Sequence, residues 1–596
     1  MPRQATPSNR TRARTPLSRA TLATVAAASV WGLGACSNTP SQPATGAATA
    51  RLSAASGAAL QHCEALAAQF QFPQTKLDSA AAVVAGTVVP NGPPTGAHCV
   101  VKGHMNARKG SDGQDYAIGF EMRLPHAWNG RFFYQANGGI DGVVLPAQGA
   151  LGGGPVTGAL AQGFAVISSD AGHTGKQNPR FGADPQARAD YGYQAVGSLT
   201  PMAKALIATA YGKGPDRSYI GGCSNGGRHT MVAAARYGDQ YDGYLVGAPG
   251  YRLPNAALAQ LWAAPKWQAL ATPGATRPHP FNPQASIPDL GTALTAAERT
   301  LVANSVLQRC DGLDGAKDGI VSDVAACQSA FVLERDVPTC TTDRNGQCLT
   351  PAQKQLLGEV FRGGKTPSGQ AIYSSFPWDS GISAANWAQW KFVNAQVLDP
   401  AAGFIFMTPP RGVDPFKVDI EDGFNAMLAT GGGFTQSAEA TITPPGKDNP
   451  SNLATLRNRG AKMVFFHGVS DAIFSATDTA AFMQRLNQAQ DGRAADFARY
   501  FPVPGMAHCS GGPATDQFDA LTPLVKWVEE GVAPQGILAS ARGKDSPGGA
   551  NTELPADWGL NGAANRTRTL CPWPTVSRYN GTGSLDAADS FSCKAP

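Results

Sequence analysis

The chain has 596 residues, with 48 Lys+Arg against 43 Asp+Glu, a formal net charge of +5 and only 15% charged residues. That thin basicity excludes a dedicated nucleic-acid binder, which needs a concentrated Lys/Arg face. With 42% hydrophobic residues the chain can bury a large core, and beyond the N-terminus no apolar run approaches the roughly 20 residues of a membrane span.

Arg3, Arg10, Arg12, Arg14 and Arg19 precede an apolar run from Ala20 to Ala35, the pattern of a secretory signal. The run ends Leu33-Gly34-Ala35-Cys36, which resembles a bacterial lipoprotein processing site. Residues 1–36 are therefore predicted to be a lipoprotein-type signal, with Cys36 as the lipidation site and possible membrane anchor. An ordinary cleaved signal is the alternative. Both predict export, to the periplasm, the outer membrane or the exterior. Residues 37–58 are rich in Ser, Thr, Pro, Ala and Gly and predict a flexible linker.

Strands are predicted at 116–124, 130–134, 164–168 and 217–220, with a long helix over 185–211 before the last of them. Strands separated by helices imply a mostly parallel sheet with right-handed crossovers. After Pro254 the pattern breaks into a loop-rich stretch. It resumes with strands at 461–466 and 498–503. The predicted fold is α/β: residues 59–254 and 446–596 form one domain, interrupted by a lid over 255–445.

Removing Cys36 from the 11 cysteines leaves an even ten, and no C-x-x-C occurs. In an exported chain this predicts five disulfides. Connectivity is not fixed by spacing, but short loops favour Cys310–Cys327, Cys340–Cys348 and Cys571–Cys593.

Gly222-Cys-Ser224-Asn-Gly226 fits G-x-S-x-G, between a predicted strand and a predicted helix over 228–237. That context is what a nucleophile elbow requires, although a glycine turn ending a strand is the plainer alternative. On such a fold the partners follow in the order Ser, acid, His. Of the 9 histidines, only His508 lies beyond Asp471, and both follow predicted strands at their carboxyl ends. Ser224, Asp471 and His508 are the predicted triad. Asp170 precedes the serine, while Asp478 and Asp516 sit where helix capping is the simpler role. His229 is expected to face solvent or to pack, and His467 to be structural. Given the triad, Cys223 and Cys509 must lie close together. A Cys223–Cys509 bridge follows, leaving Cys63 for Cys99. The oxyanion hole is predicted from the amides of Asn225 and of Gly139, in the glycine-rich stretch after strand 130–134.

Gly-Cys-Ser224-Asn-Gly-Gly, His-Gly-Val-Ser-Asp471 and Gly-Met-Ala-His508-Cys-Ser-Gly-Gly together resemble the tannase and feruloyl esterase family, especially its bacterial branch acting on terephthalate monoesters. The resemblance runs from near Cys63 to Cys593. It implies an α/β-hydrolase domain, an inserted lid, a disulfide bridging the triad, and hydrolysis of esters of aromatic acids. It also implies a calcium ion in the lid. Asp311, Asp314 and Asp318 would supply carboxylates, and Ala316 and Ile320 would supply carbonyls. Three carboxylates so close in sequence repel one another unless a cation lies between them.

Phe376, Trp378, Trp387, Trp390, Phe392, Phe404 and Phe406 crowd one stretch of the lid. They suit stacking on a planar acyl group, although any one of them is as readily lid core. No arginine lies between Arg362 and Arg411, and only Lys365 and Lys391 are basic there. A neutral or phenolic acyl group is therefore expected. The expected partner is a small aromatic ester, nucleic acid is not expected, and a monomer is favoured. Another serine hydrolase, a lipase or peptidase, and a non-catalytic binding lipoprotein on a hydrolase fold are the competing classes.

Overall fold

The computed structural model describes residues 52–87, 94–149, 158–546, 549–558 and 566–596. The expected signal segment, Cys36 and most of the expected linker lie outside the described residues. Among the described residues, no helix is long and apolar enough to cross a membrane.

The main sheet comprises β1 (Thr75–Val83), β2 (His98–Lys109), β3 (Asp115–Pro125), β4 (Arg131–Gln135) and β5 (Ala165–Ser169). It continues with β6 (Arg217–Cys223), β7 (Gly243–Gly247), β8 (Lys462–Gly468) and β9 (Ala498–Val503). Across the sheet the order is β9-β8-β7-β6-β4-β5-β3-β2-β1. The six strands from β5 to β9 in that order run parallel, and β3, β2 and β1 join antiparallel at the other end. The α/β-hydrolase fold expected from the sequence is the fold observed. Central strands are covered on both faces, so β8 reads as a continuous apolar run, Met463-Val-Phe-Phe466, with every residue buried.

Helical segments cover the sheet. The helix expected over 185–211 occupies those bounds in three parts: Pro185–Ala189, a wider π turn over Asp190–Gln194, and α1 (Ala195–Tyr211). Asp184 caps its start by accepting from Ala187 N at 2.7 Å, and Gly212 ends it with φ 74°. The elbow helix α2 spans Asn225–Arg236 and begins immediately after the serine, earlier than expected.

Between β7 and β8 the chain inserts a largely helical region. Its core includes Trp267, Val302, Val306, Leu357, Trp387 and Phe392. This region is more helical than its loop-rich sequence suggests. It contains α3 (Leu253–Leu270), α4 (Ala296–Cys310) and α5 (Pro351–Arg362). The starts of α4 and α5 are fixed by reciprocal capping boxes, Thr295 with Glu298 and Thr350 with Gln353. After β8 and β9 come α6 (Ala476–Ala489) and α7 (Leu521–Glu530), then an antiparallel pair, β10 (Ile537–Ser540) and β11 (Thr567–Leu570).

Residues 52–58 do not behave as a linker. Leu52 N donates to Val528 O at 2.9 Å, Ala55 N to Glu529 Oε2 at 3.1 Å, and Ser56 N to Asp216 Oδ2 at 2.8 Å. Small residues let this backbone lie flat on the domain. Two carboxylates then take its amides.

Candidate active site

Ser224 sits at φ 66°, ψ −126°, a conformation of order 1–3 kcal/mol above an ordinary one for a residue with a side chain. The surrounding backbone imposes it. Ser224 N donates to Gly247 O at 3.0 Å, while its carbonyl accepts from Arg228 N at 3.1 Å and Gly250 N at 3.2 Å. The glycines allow the turn to pack this tightly. A Cβ on Gly222 would lie 2.3 Å from Ala136 O, and one on Gly226 2.2 Å from the same atom. β6 leads in, α2 leads out, and the serine stands at the turn between them, at a helix N-terminus that favours negative charge.

His508 and Asp471 meet directly, with Nδ1 and Oδ2 2.6 Å apart. Asp471 follows β8 and His508 follows β9, so the carboxyl ends of neighbouring parallel strands deliver both. Asp471 is fully enclosed. Its Oδ1 accepts from Ile473 N and Phe474 N, each at 2.9 Å, and His467 Nε2 lies 3.3 Å from Oδ2. Burial opposes its charge, but His508 and His467 outweigh burial and hold the carboxyl well below the usual range. With Nδ1 committed to Asp471, the other ring nitrogen, Nε2, lies 3.8 Å from Cys509 Sγ, on the bridge to the elbow. The Cys223–Cys509 disulfide, Cα–Cα 6.1 Å, ties the residue before Ser224 to the residue after His508. The other bridges are Cys63–Cys99, Cys310–Cys327, Cys340–Cys348 and Cys571–Cys593.

Several expectations need correction. His229 neither faces solvent nor merely packs: it is buried and bonds Asp141 at 2.9 Å. Asp478 and Asp516 do not cap helices. Arg252 grips Asp478 at 2.7 and 3.1 Å, and Arg542 grips Asp516 at 2.6 and 2.9 Å. Asp170 accepts from the amides of Gly119 and Gly172, both at 2.9 Å, and burial pushes its carboxyl up to about 7. His467, by contrast, is structural as expected: its Nε2 donates to Phe474 O at 3.0 Å, and its Nδ1 lies 2.9 Å from the Thr479 hydroxyl.

Gly139 lies in the loop after β4 with φ 67°, and a Cβ there would meet nothing within 4 Å. Its neighbour Gly138 borders the elbow, where a Cβ would lie 3.8 Å from Ser224 Cβ. Asn225 is the first residue of α2, so its amide has no carbonyl one turn back within the helix.

The inserted body reaches the histidine loop. Asn386 Oδ1 accepts from His508 N at 3.3 Å, and Glu553 holds both Asn386 N at 2.9 Å and Gly512 N at 2.6 Å. Asp379 Oδ2 takes Ser470 Oγ at 2.7 Å and Gly505 N at 2.6 Å, bracing the acid and histidine loops together. These braces have no local sequence signal, because each joins distant segments.

The lid aromatics divide. Trp387, Phe392 and Phe406 are core, and Trp378 stacks on Phe361 at 3.9 Å. Trp390 stands edge-to-face on His508 at 4.4 Å, with Phe474 at 5.3 Å. Lys391 is buried behind Asp471, with Gln260 Oε1 at 3.4 Å and the Phe376 ring 4.4 Å from Nζ. Burial pushes its ammonium down to about 7. A groove of ≈ 750 Å³ lies at the far edge of the sheet around Lys76, His104 and Arg108 and shares no residue with this centre.

The acidic lid loop folds around its own amides. Asp311 Oδ1 accepts from Asp318 N and Gly319 N, Asp314 Oδ1 from Ala316 N, and Asp318 Oδ1 from Ile320 N, all at 2.9–3.0 Å. Asp314 Oδ2 is a buried oxygen with no partner, and burial pushes that carboxyl up to about 6. An added cation would satisfy this oxygen. The fit is incomplete. Among the described residues no group of three or more acidic, His or Cys side chains is gathered to hold a metal. Arg568 already sits on Asp318 Oδ2.

The strand order, the elbow and the acid–histidine pair are those of an α/β-hydrolase. The tannase and feruloyl esterase family model matches residues 99–594, and the chain belongs to that family. It is 38% identical over 567 residues to a mono(2-hydroxyethyl) terephthalate hydrolase of Piscinibacter sakaiensis, covering 87% of each chain. It is 26% identical over 504 residues to a probable feruloyl esterase B-1 of Neosartorya fischeri, covering 79% of this chain and 82% of the relative. The crystal structure of feruloyl esterase B from Aspergillus oryzae superposes with a TM-score of 0.69 at 24% identity, over 89% of this chain and 100% of that one. A tannin acyl hydrolase from Aspergillus niger gives 0.62 at 19% identity, over 90% and 94%.

Proposed function

We propose that this protein is an exported serine esterase that hydrolyses esters of aromatic acids through an acyl-enzyme. Ser224 Oγ attacks the ester carbonyl as His508 Nε2 takes its proton. Asp471 fixes the tautomer of His508 and stabilises the imidazolium. The amides of Gly139 and Asn225 receive the developing oxyanion. His508 then returns the proton to the leaving alcohol, and water repeats the sequence on the acyl-enzyme to release the acid. The observation that carries this reading is the Cys223–Cys509 bridge, which joins the neighbours of Ser224 and His508 while Asp471 holds His508 at 2.6 Å.

Trp390 and Phe474 flank His508 and favour a planar acyl group. Lys391 is buried behind the acid and is not placed to clamp a free carboxylate, which favours neutral or phenolic acyl groups such as feruloyl or galloyl. Calcium is proposed as a structural ion held by Asp311, Asp314 and Asp318 with the Ala316 and Ile320 carbonyls. Its charge would offset the carboxylate repulsion of the lid loop. Five disulfides support export, and Cys36 is proposed as the lipidation site.

The test is a panel of methyl ferulate, methyl gallate, mono(2-hydroxyethyl) terephthalate and p-nitrophenyl acetate, with native protein and Ser224→Ala side by side. Turnover of an aromatic ester that Ser224→Ala abolishes, with an unchanged melting temperature, is expected. Retained turnover in the variant refutes the assignment.

A further inference from the structure

A buried polar cluster that the triad does not use joins the loop after β4 to the helix after the nucleophile. Asp141 Oδ2 accepts from Asn225 Nδ2 at 2.7 Å and contacts His229 Nε2 at 2.9 Å. The Asp141 and His229 side chains are only 2% and 4% exposed. On its other side, Asn225 Oδ1 accepts from Arg228 Nε at 2.7 Å. The remaining Arg228 donors go to the carbonyls of Gly192 at 2.8 Å, Ile442 at 3.1 Å and Tyr191 at 2.9 Å. The Asn225 carboxamide is thus strung between a guanidinium and a carboxylate, in two charge-assisted hydrogen bonds.

The protonation pattern is consistent. Burial, with Arg228 beside it, pushes His229 down and so favours the neutral ring. In the neutral ring the Nε2 proton is donated to Asp141, and Arg228 Nη2 lies beside the ring, 3.3 Å from Nε2 and 3.4 Å from Nδ1. A buried carboxylate in this loop would disfavour negative charge nearby. The buried Arg228 charge offsets it, and Asn225 transmits that pairing across the elbow.

The loop needs such a hold. Gly139, Asp141 and Gly142 all have positive φ, at 67°, 53° and 91°. Asp141 pays a backbone penalty for its conformation that glycine would not. Backbone ties hold one end: Ile140 O lies 2.9 Å from His173 Nε2, Asp141 O accepts from Asn178 Nδ2 at 3.2 Å, and Gly142 N donates to Asp170 O at 3.1 Å. Among the described residues, only the Asp141 carboxylate ties that loop to the side chain of the residue following Ser224.

We propose that Asp141 is a positioning residue of the oxyanion hole: through Asn225 and His229 it locks the Gly138–Gly139 turn in register with the first amide of α2. The two halves of the hole then move as one unit. This rests on the reading of Ser224 as the nucleophile, with the Gly139 and Asn225 amides as the hole.

The experiment compares Ser224→Ala, Asp141→Asn, Asn225→Ala and the Asp141→Asn/Asn225→Ala double variant, in the mature chain, on p-nitrophenyl acetate and the best aromatic ester. The expected result is a fall in kcat of roughly tenfold or more for each single variant, short of the about 10²–10³-fold loss on deleting an oxyanion donor itself. KM should stay near the native value, and the double variant should lose no more than Asp141→Asn alone, because Asp141→Asn already cuts the tie that Asn225→Ala removes. A merely structural role would lower the melting temperature without that split between kcat and KM. If Ser224→Ala keeps turnover, the nucleophile reading falls and this proposal with it. If Ser224→Ala is inactive but Asp141→Asn turns over at the native kcat, the positioning role alone is overturned. Multiplying losses in the double variant also overturn it. Should Asp141→Asn fail to fold, Asn225→Ala, which leaves the Asp141–His229 pair intact, decides alone: an unchanged kcat refutes the tether.

Discussion

Removal of the Cys223–Cys509 bridge should cost both stability and rate, and the two costs can be separated. The bridge closes 286 residues of chain, whereas Cys340–Cys348 closes 8. In the chain-entropy account, loops of those lengths restrain the unfolded state by about 5.5 and about 2.5 kcal/mol at 25 °C. The two shorter bridges nested inside the long loop barely change the first figure, because it grows only with the logarithm of length. Cys223→Ala/Cys509→Ala should therefore lose about 3 kcal/mol more than Cys340→Ala/Cys348→Ala. It should also lose activity. Cys509 sits at φ 65°, and without the bridge nothing covalent holds that turn beside the elbow. A displacement of His508 by about 1 Å would lower kcat by about 10²-fold. Denaturant melts of both double variants, with kcat on one active ester, give the comparison. Equal stability losses would refute the loop-length reasoning. A native kcat without the long bridge would refute its role in aligning the pair.

Asp471→Asn should keep the fold but lower kcat by about 10⁴-fold, because a carboxamide no longer enforces the tautomer that leaves Nε2 free; a loss under tenfold would point to another acid. Lys391→Met tests a buried charge. Its pKa is lowered in the folded state, from 10.5 to about 7, a penalty of order 5 kcal/mol on the charged form. The unfolded chain binds the extra proton between those values, so native stability rises with pH from about 7 to 10.5 and the full penalty is present below 7. Lys391→Met should therefore stabilise most near pH 6 and little near pH 10; a gain independent of pH would contradict this. Chelation followed by calcium addition should lower and restore the melting temperature while leaving kcat at 25 °C nearly unchanged. An identical melt, with no calcium found by elemental analysis, would remove the ion from the lid loop.

Most central strands were legible because burial on both faces leaves an unbroken apolar run, as in Met463-Val-Phe-Phe466 of β8. β1, β2 and the central β7 were not, whereas β9, at the opposite edge from β1, was. β1, Thr75–Val83, is mostly exposed and its register shifts between Leu77 and Ser79, so it shows neither an apolar run nor clean alternation. β7 is five residues long with a glycine at each end, too short to show a period. The lid helices were hidden for another reason. Their starts are encoded by capping residues such as Thr295 and Glu298, whereas Pro- and Gly-rich connections dominate the composition of the lid. The anchoring of residues 52–58 left no trace in sequence, because its acceptors, Asp216 and Glu529, come from distant parts of the chain.

The candidate site divides along the same line. Ser224, Asp471 and His508 could be named because each follows a strand and chain order restricts the choice. The residues that hold them could not, because their partners are set only by tertiary contact. Asn386 braces His508 from the inserted body, Asp379 braces Ser470 and Gly505, and His229 turns inward to Asp141. His229 shows why. One turn past an elbow, a histidine on a helix has an exposed and a buried option, and periodicity in α2 cannot choose, because ten of its twelve residues, from Asn225 to Ala234, are buried. What chooses is the positive-φ loop carrying Asp141, which arrives from β4. The chemistry of this centre is thus written in short motifs, while its alignment is written in pairs of residues far apart in the chain. Substitutions at those pairs should alter rate before they alter fold.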